Sequence, residues 1–187
     1  MNGNRRIFLS LAALSLIFAL IVTNWIPAKA QAEPTSFQNV HLSIYPEYDD
    51  PRLLVMLQGT VDGVNIPATV RFLVPSPAEM YSAGSIDAQG KYSGGPPRRK
   101  ASSIPGWDEI SYEVTTDTFR VEYYANSINS IRGQVNKTIS FDFYTLYPIS
   151  GLSVEVQEPR NSSDFSVSLG NGTKTSDQGF VYNVYDY

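Results

Sequence analysis

Three carboxylates fall within four positions, Glu47, Asp49 and Asp50, in the run Pro46-Glu47-Tyr48-Asp49-Asp50-Pro51. Hard oxygen ligands this close together suit Ca²⁺. The EF-hand loop pattern is absent, however, and Asp-Pro is a breaker, so the same residues also read as turn formers. Calcium is the one cofactor these residues allow, and nothing implies another. There is a single histidine, His41, and no cysteine. That excludes a two-histidine metal site, Cys-ligated zinc, a thiolate nucleophile and disulfides. Asp108 and Glu109 adjoin Trp107, as a glycosidase sets an acid beside an aromatic platform. They also follow a Pro-Gly turn, where a strand would begin. No G-x-S-x-G, S-x-x-K or H-E-x-x-H motif occurs. The residues therefore predict a non-enzymatic protein.

Tyrosine is the compositional excess, with 12 in 187 residues. Tyr45, Tyr124 and Tyr144 fall on the polar phases of alternating runs. Tyr81, Tyr92 and Trp107 flank turns. Exposed aromatics stack on sugars or anchor a protein partner. Tyrosine is equally at home on a half-wet sheet surface. Tyr45, Trp107, Tyr124 and Tyr144 form the candidate ligand-binding set. Arg98-Arg99-Lys100 offers a contact for anionic envelope polymers or lipid head groups, or else a solvated, protease-sensitive loop. The net charge of −4 argues against nucleic acid as a partner, and the first 30 residues hold Arg5, Arg6 and Lys29 without an acid, so the remainder is more acidic still.

The elements that position these residues are strands. Period-two alternation marks Val40–Tyr45, Ile110–Thr115, Phe119–Tyr124, Ile139–Tyr144, Leu152–Gln157 and Phe165–Leu169. Leu53–Leu57 is continuously apolar, as a strand covered on both faces would be. Ala68–Val74 and the Tyr-rich Phe180–Tyr187 complete the clear cases, with weaker signals at Met80–Gly84 and Gly90–Tyr92. Ser93–Pro105 and Asn126–Gln134 read as loops, and Asn171–Gly179 as a polar hairpin loop. The expectation is an all-β, antiparallel β-sandwich of nine or ten strands, Val40–Val74 making the first half and Trp107–Gln157 the second. Phe180–Tyr187 is expected at a sheet edge.

Residues 1–30 have a basic start, an apolar run over Ile7–Val22 and the small-x-small site Ala28-Lys29-Ala30. This is the pattern of a secretory signal peptide; an uncleaved membrane anchor is the alternative. Residues 31–36 read as a lead-in and 37–187 as a single domain, exported to the periplasm, cell surface or medium. The membrane is a partner only through the N-terminal segment, if it stays uncleaved. Asn136, Asn161 and Asn171 each begin an N-x-S/T triplet in an expected loop.

Gln58-Gly59-Thr60-Val61, Ile66-Pro67-Ala68-Thr69-Val70 and Asp87-Ala88-Gln89-Gly90-Lys91-Tyr92 resemble the carboxypeptidase regulatory-like domain, a secreted prealbumin-like β-sandwich. The resemblance covers about residues 57–94; that family's sandwich would end there, whereas this chain carries five more expected strands. Tyr45-Pro46-Glu47-Tyr48-Asp49-Asp50-Pro51, Ile66-Pro67-Ala68, Val121-Glu122-Tyr123-Tyr124 and Val154-Glu155-Val156-Gln157-Glu158-Pro159 are similar to uncharacterised exported β-domains of bacteria, which often precede a membrane anchor. These resemblances imply an extracytoplasmic sandwich and no known activity. The functional expectation is a binding module of the cell envelope with a protein or glycan partner. A carbohydrate-binding module and a spacer or sensor ectodomain are the alternatives.

Overall fold

The computed structural model describes residues 32–130 and 136–187. The signal or anchor expected over residues 1–30 and part of the Asn126–Gln134 loop lie outside the described residues. Ala32–Tyr187 forms one compact unit. It is all-β, without a helix among the described residues. Its strands are β1 (Ser36–Pro46), β2 (Leu53–Asp62), β3 (Ala68–Pro75), β4 (Glu79–Ile86), β5 (Tyr92–Gly94), β6 (Arg98–Ala101), β7 (Trp107–Val114), β8 (Thr118–Ala125), β9 (Ile128–Ser130), β10 (Lys137–Ile139), β11 (Ile149–Gln157), β12 (Thr173–Asp177) and β13 (Phe180–Asp186).

An eight-stranded sheet runs β12-β13-β11-β1-β2-β8-β4-β5, a three-stranded sheet runs β3-β7-β6, and β9 pairs with β10. The two larger sheets pack face to face in a sandwich-like arrangement. Leu42 and Ile44 of β1, Val55 and Leu57 of β2, and Val121 and Tyr123 of β8 point inward from the large sheet. Val70, Phe72, Ile110 and Val114 answer from the small one. Phe37, 1% exposed, stacks on Phe72 at 5.3 Å and meets Phe119 at 4.5 Å and Tyr147 at 4.6 Å. It reaches that position through a bulge. Asn39 takes a left-handed φ of 49°, tolerable for asparagine, and the β1–β2 register shifts between Gln38 and His41. Phe37 and Val40, three apart, thereby share the inner face.

Several expectations change. The sheet is not wholly antiparallel: β1 and β11 run parallel, with Val40, Leu42 and Ile44 beside Leu152, Val154 and Val156. Thirteen strands lie among the described residues, against the nine or ten expected. Phe141–Tyr144 and Phe165–Leu169 alternate as strands do but enter no ladder. Phe141, Phe143, Phe165 and Val167 lie partly buried against the core instead, so their period of two records an extended chain with one covered side. The reverse error occurs at β6 and β12, expected as loop. Both are fully exposed strands, so no apolar phase marks them. The terminal β13 is not an edge; β12 covers it, and its Tyr185 joins the core. Nor do the two sequence halves make separate layers. Strands β1 and β2 share a sheet with β8 and β11, while β3 pairs with β7.

Because Phe37 touches rings from both sheets, Phe37→Ala should destabilise the domain by about 3–5 kcal/mol, read from denaturant unfolding. A loss below about 1 kcal/mol would show that the bulge does not place a keystone.

Candidate functional site

Alternation fixes which side chains of the large sheet face away from the small one. On β1, Ser43 and Tyr45 oppose the inward Leu42 and Ile44. In register, Tyr45 lies beside Leu54 of β2, and Leu54 beside Tyr124 of β8. Two strand spacings separate the two tyrosines, roughly 10 Å. Tyr45 extends into a cluster: its ring lies 5.7 Å from Tyr48 and 5.8 Å from Tyr182. Tyr48 lies 5.7 Å from Phe180, whose face also receives Arg160 at 4.1 Å. On the other side, Tyr124 meets Tyr81 edge-on at 6.1 Å, and the Arg52 guanidinium sits 4.7 Å over the Tyr124 ring. The outer face is thus a band of aromatic rings running from β13 to β4.

Polar groups anchor the band. The Tyr45 hydroxyl donates to Glu155 Oε1, and burial followed by that bond pushes the phenol far above its usual range. The Tyr124 hydroxyl donates to both carboxylate oxygens of Asp49, at 2.9 and 3.1 Å. Burial and then the Asp49 bond push Tyr124 up to about 12. Beneath Tyr182 lies Gln157, 1% exposed and paired with it in register. Burial raises the Tyr182 phenol above its usual range, and a side-chain bond from Gln157 works against that rise.

Tyr45 and Tyr124 therefore share a surface. Trp107 and Tyr144 form a separate pair, rings edge-on at 4.8 Å, with Trp107 opposite Pro75 at the end of the small sheet. The three carboxylates of the β1–β2 turn do not converge. Glu47 pairs with Lys137, Asp49 accepts from Tyr124, and Asp50 accepts from Arg52 Nε at 2.7 Å and Nη2 at 2.9 Å. Among the described residues, no group of three or more His, Cys, Asp or Glu side chains is arranged to hold a metal ion. Arg52 also reaches Glu79 at 2.7 Å, so the turn is clamped to β4 and β8 by this arginine.

Asp108 and Glu109 are likewise engaged. Asp108 accepts from Arg99 at 2.7 Å and from Ser76 at 2.9 Å, and these bonds hold its carboxyl below the usual range. Glu109 pairs with Lys100 at 3.0 Å and Arg71 at 3.4 Å. Two of the three cations in Arg98-Arg99-Lys100 are thus bound within the small sheet. His41 lies 3.8 Å from Glu155. Asp87 forms an Asx turn, its Oδ1 accepting from the N–H groups of Gln89 (3.0 Å) and Lys91 (2.8 Å). Asn136, Asn161 and Asn171 are all exposed.

The residues that sequence reasoning did not select are Tyr48, Phe180 and Tyr182, and Gln157 below them. Tyr182 has the signal Tyr45 has, a tyrosine on a strand's outward phase. Gln157 has none, because its burial comes from strands far off in sequence. No protein-family model matches the chain, and no curated protein matches it.

The Arg52 bond holds the Asp50 carboxyl below the usual carboxylate range. What this pairing contributes is present above the ordinary aspartate pKa of about 3.9 and lost as pH falls through the lowered value. In Arg52→Gln, Asp50 followed by carbon NMR should titrate at higher pH than in the unaltered protein. An unchanged midpoint would show that Arg52 does not hold it.

Proposed function

We propose that the chain is a non-enzymatic, extracytoplasmic binding module of the cell envelope and that the outer face of the large sheet is its ligand surface. The observation that carries this reading is the band of rings across that face, with Tyr45 and Tyr124 joined by Tyr48, Tyr182, Phe180 and Tyr81. Phenol rings hold little conformational entropy and offer both an apolar body and a polar tip, which suits them to anchoring a partner. The ion pairs that flank the band are internal, so it offers contact by shape and stacking more than by charge. The partner is an envelope protein or glycan. Export rests on the basic start, apolar run and Ala-x-Ala site of residues 1–30.

The full-length protein should bind purified cell walls or solubilised envelope proteins, and Tyr45→Ala with Tyr124→Ala should weaken that binding at least about tenfold while leaving the circular dichroism spectrum unchanged. Binding that ignores both substitutions would overturn the choice of face. Absence of binding to either fraction would overturn the module. Cell fractionation with N-terminal sequencing checks export: the protein should appear either cut after the Ala-x-Ala site or intact in the membrane, and recovery from the cytosol would refute it.

A further inference from the structure

An exposed sheet edge is a row of unpaired backbone donors and acceptors, and folded proteins protect such edges. The two larger sheets protect most of theirs. Strand β12 is short, polar and carries Lys174 and Asp177. Strand β6 is basic and follows Pro96-Pro97. The outer side of β3 meets Ala32, whose carbonyl accepts from Thr69 N–H at 3.3 Å, and its Arg71–Val74 part shares a small internal cavity with Phe143–Leu146.

Strand β4 differs. On one side it pairs with β8 along its length. On the other, β5 covers only Gly84, Ser85 and Ile86. Beyond that, Gly95 N–H donates to Ala83 O at 3.3 Å, and at the far end Arg99 Nη1 donates to Ala78 O at 2.7 Å. Between these two bonds, Glu79–Ser82 faces no strand among the described residues. The chain leaves this edge because Pro96 and Pro97 have no N–H with which to continue the ladder. A cleft of about 780 Å³ opens there, between Glu79–Ser82 and Gly94–Pro97, with Tyr92 and Arg99 also on its walls. Four strand residues span roughly 13 Å.

We propose that this cleft takes an extended segment of a partner polypeptide as an added strand on β4. The proposal rests on the binding-module reading and names the partner as a protein. A peptide is favoured because the wall is backbone at strand spacing, which matches main-chain amides repeat for repeat. The segment is neutral. The charged groups of the cleft are spent internally: Glu79 on Arg52 at 2.7 Å, and Arg99 on Asp108 and the carbonyls of Pro75, Ser76 and Ala78. The segment lacks proline at the alternate central positions whose N–H groups turn toward β4. The bulge between Met80 and Ser82 turns out Tyr81, 69% exposed. Tyr81 meets Tyr124 edge-on and so joins the cleft to the aromatic band.

The test is a phage library of random dodecapeptides panned on the full-length protein. A Cβ on Gly95 would meet nothing within 4 Å, so Gly95→Trp fills the cleft without straining the fold; Tyr81→Lys is a second, surface variant. The expected result is a set of neutral peptides whose affinity falls at least about tenfold with Gly95→Trp and with Tyr81→Lys, and equally when alternate central peptide nitrogens are methylated. Peptides indifferent to both variants and to methylation, or no binders at all, would overturn the proposal. So would glycan binding that Gly95→Trp removes while no peptide binds, which would make the cleft a sugar subsite. Peptides lost with Tyr45→Ala yet kept with Gly95→Trp would overturn the cleft and leave the aromatic face standing.

Discussion

The contact of Phe37 with Phe72 and Phe119 is the constraint from which the rest of the unit follows. With no cysteine to staple the layers, two sheets of very unequal width are held by burial alone. Phe37 belongs to β1, near the middle of the large sheet, and Phe72 to β3 of the small one. Three strands cannot cover eight. The remaining inner surface is closed by chain that pairs with nothing, the segments carrying Phe141, Phe143, Phe165 and Val167. They contribute apolar area without adding to either ladder. This division of labour extends the cover of the large sheet's central strands beyond what three strands reach.

That arrangement also decides which parts of the fold could be read from sequence. Alternation reports one covered side of an extended chain, whatever covers it. Where the cover was the opposite sheet and the neighbours were strands, as in β7, β8 and β11, the reading held. At Phe141–Tyr144 the same pattern came from lying on the core, and no strand was present. At β6 and β12 pairing occurred without burial, so there was no pattern to see. The parallel contact of β1 with β11 is a matter of which free edge a returning chain meets. Identical apolar phases on the two strands fit either direction, so local pattern left it open.

The candidate site divides along the same line. Tyr45 and Tyr124 were legible because a large residue on a polar phase must face outward, and two strands of one sheet then bring both to one surface. Tyr144, chosen by the same argument, and Trp107, chosen because it flanks a turn, sit elsewhere, since β7 belongs to the small sheet and Tyr144 to the unpaired cover. Glu47, Asp49 and Asp50 looked like a cluster because they are close in sequence. In the fold each found a different partner: Asp50 its near neighbour Arg52, Glu47 and Asp49 the distant Lys137 and Tyr124. Proximity along the chain says little about convergence in a turn, where successive side chains point outward in different directions.

The pairing of the charges has a consequence for what the surface can recognise. Asp50, Glu79, Asp108, Glu109 and Glu158 each face a cation of the same chain. These pairs stabilise only weakly where they are exposed, but they occupy the groups that would otherwise attract ions or charged ligands. What stays uncommitted near the aromatic band is of another kind: ring faces, and the side of Glu79–Ser82 turned away from β8, beside Gly94–Pro97. Stacking and main-chain hydrogen bonding depend little on ionic strength compared with exposed charge pairs. What the fold leaves open there is therefore ring face and strand backbone rather than free charge, with the uncharged run Met80-Tyr81-Ser82 on the open side of β4.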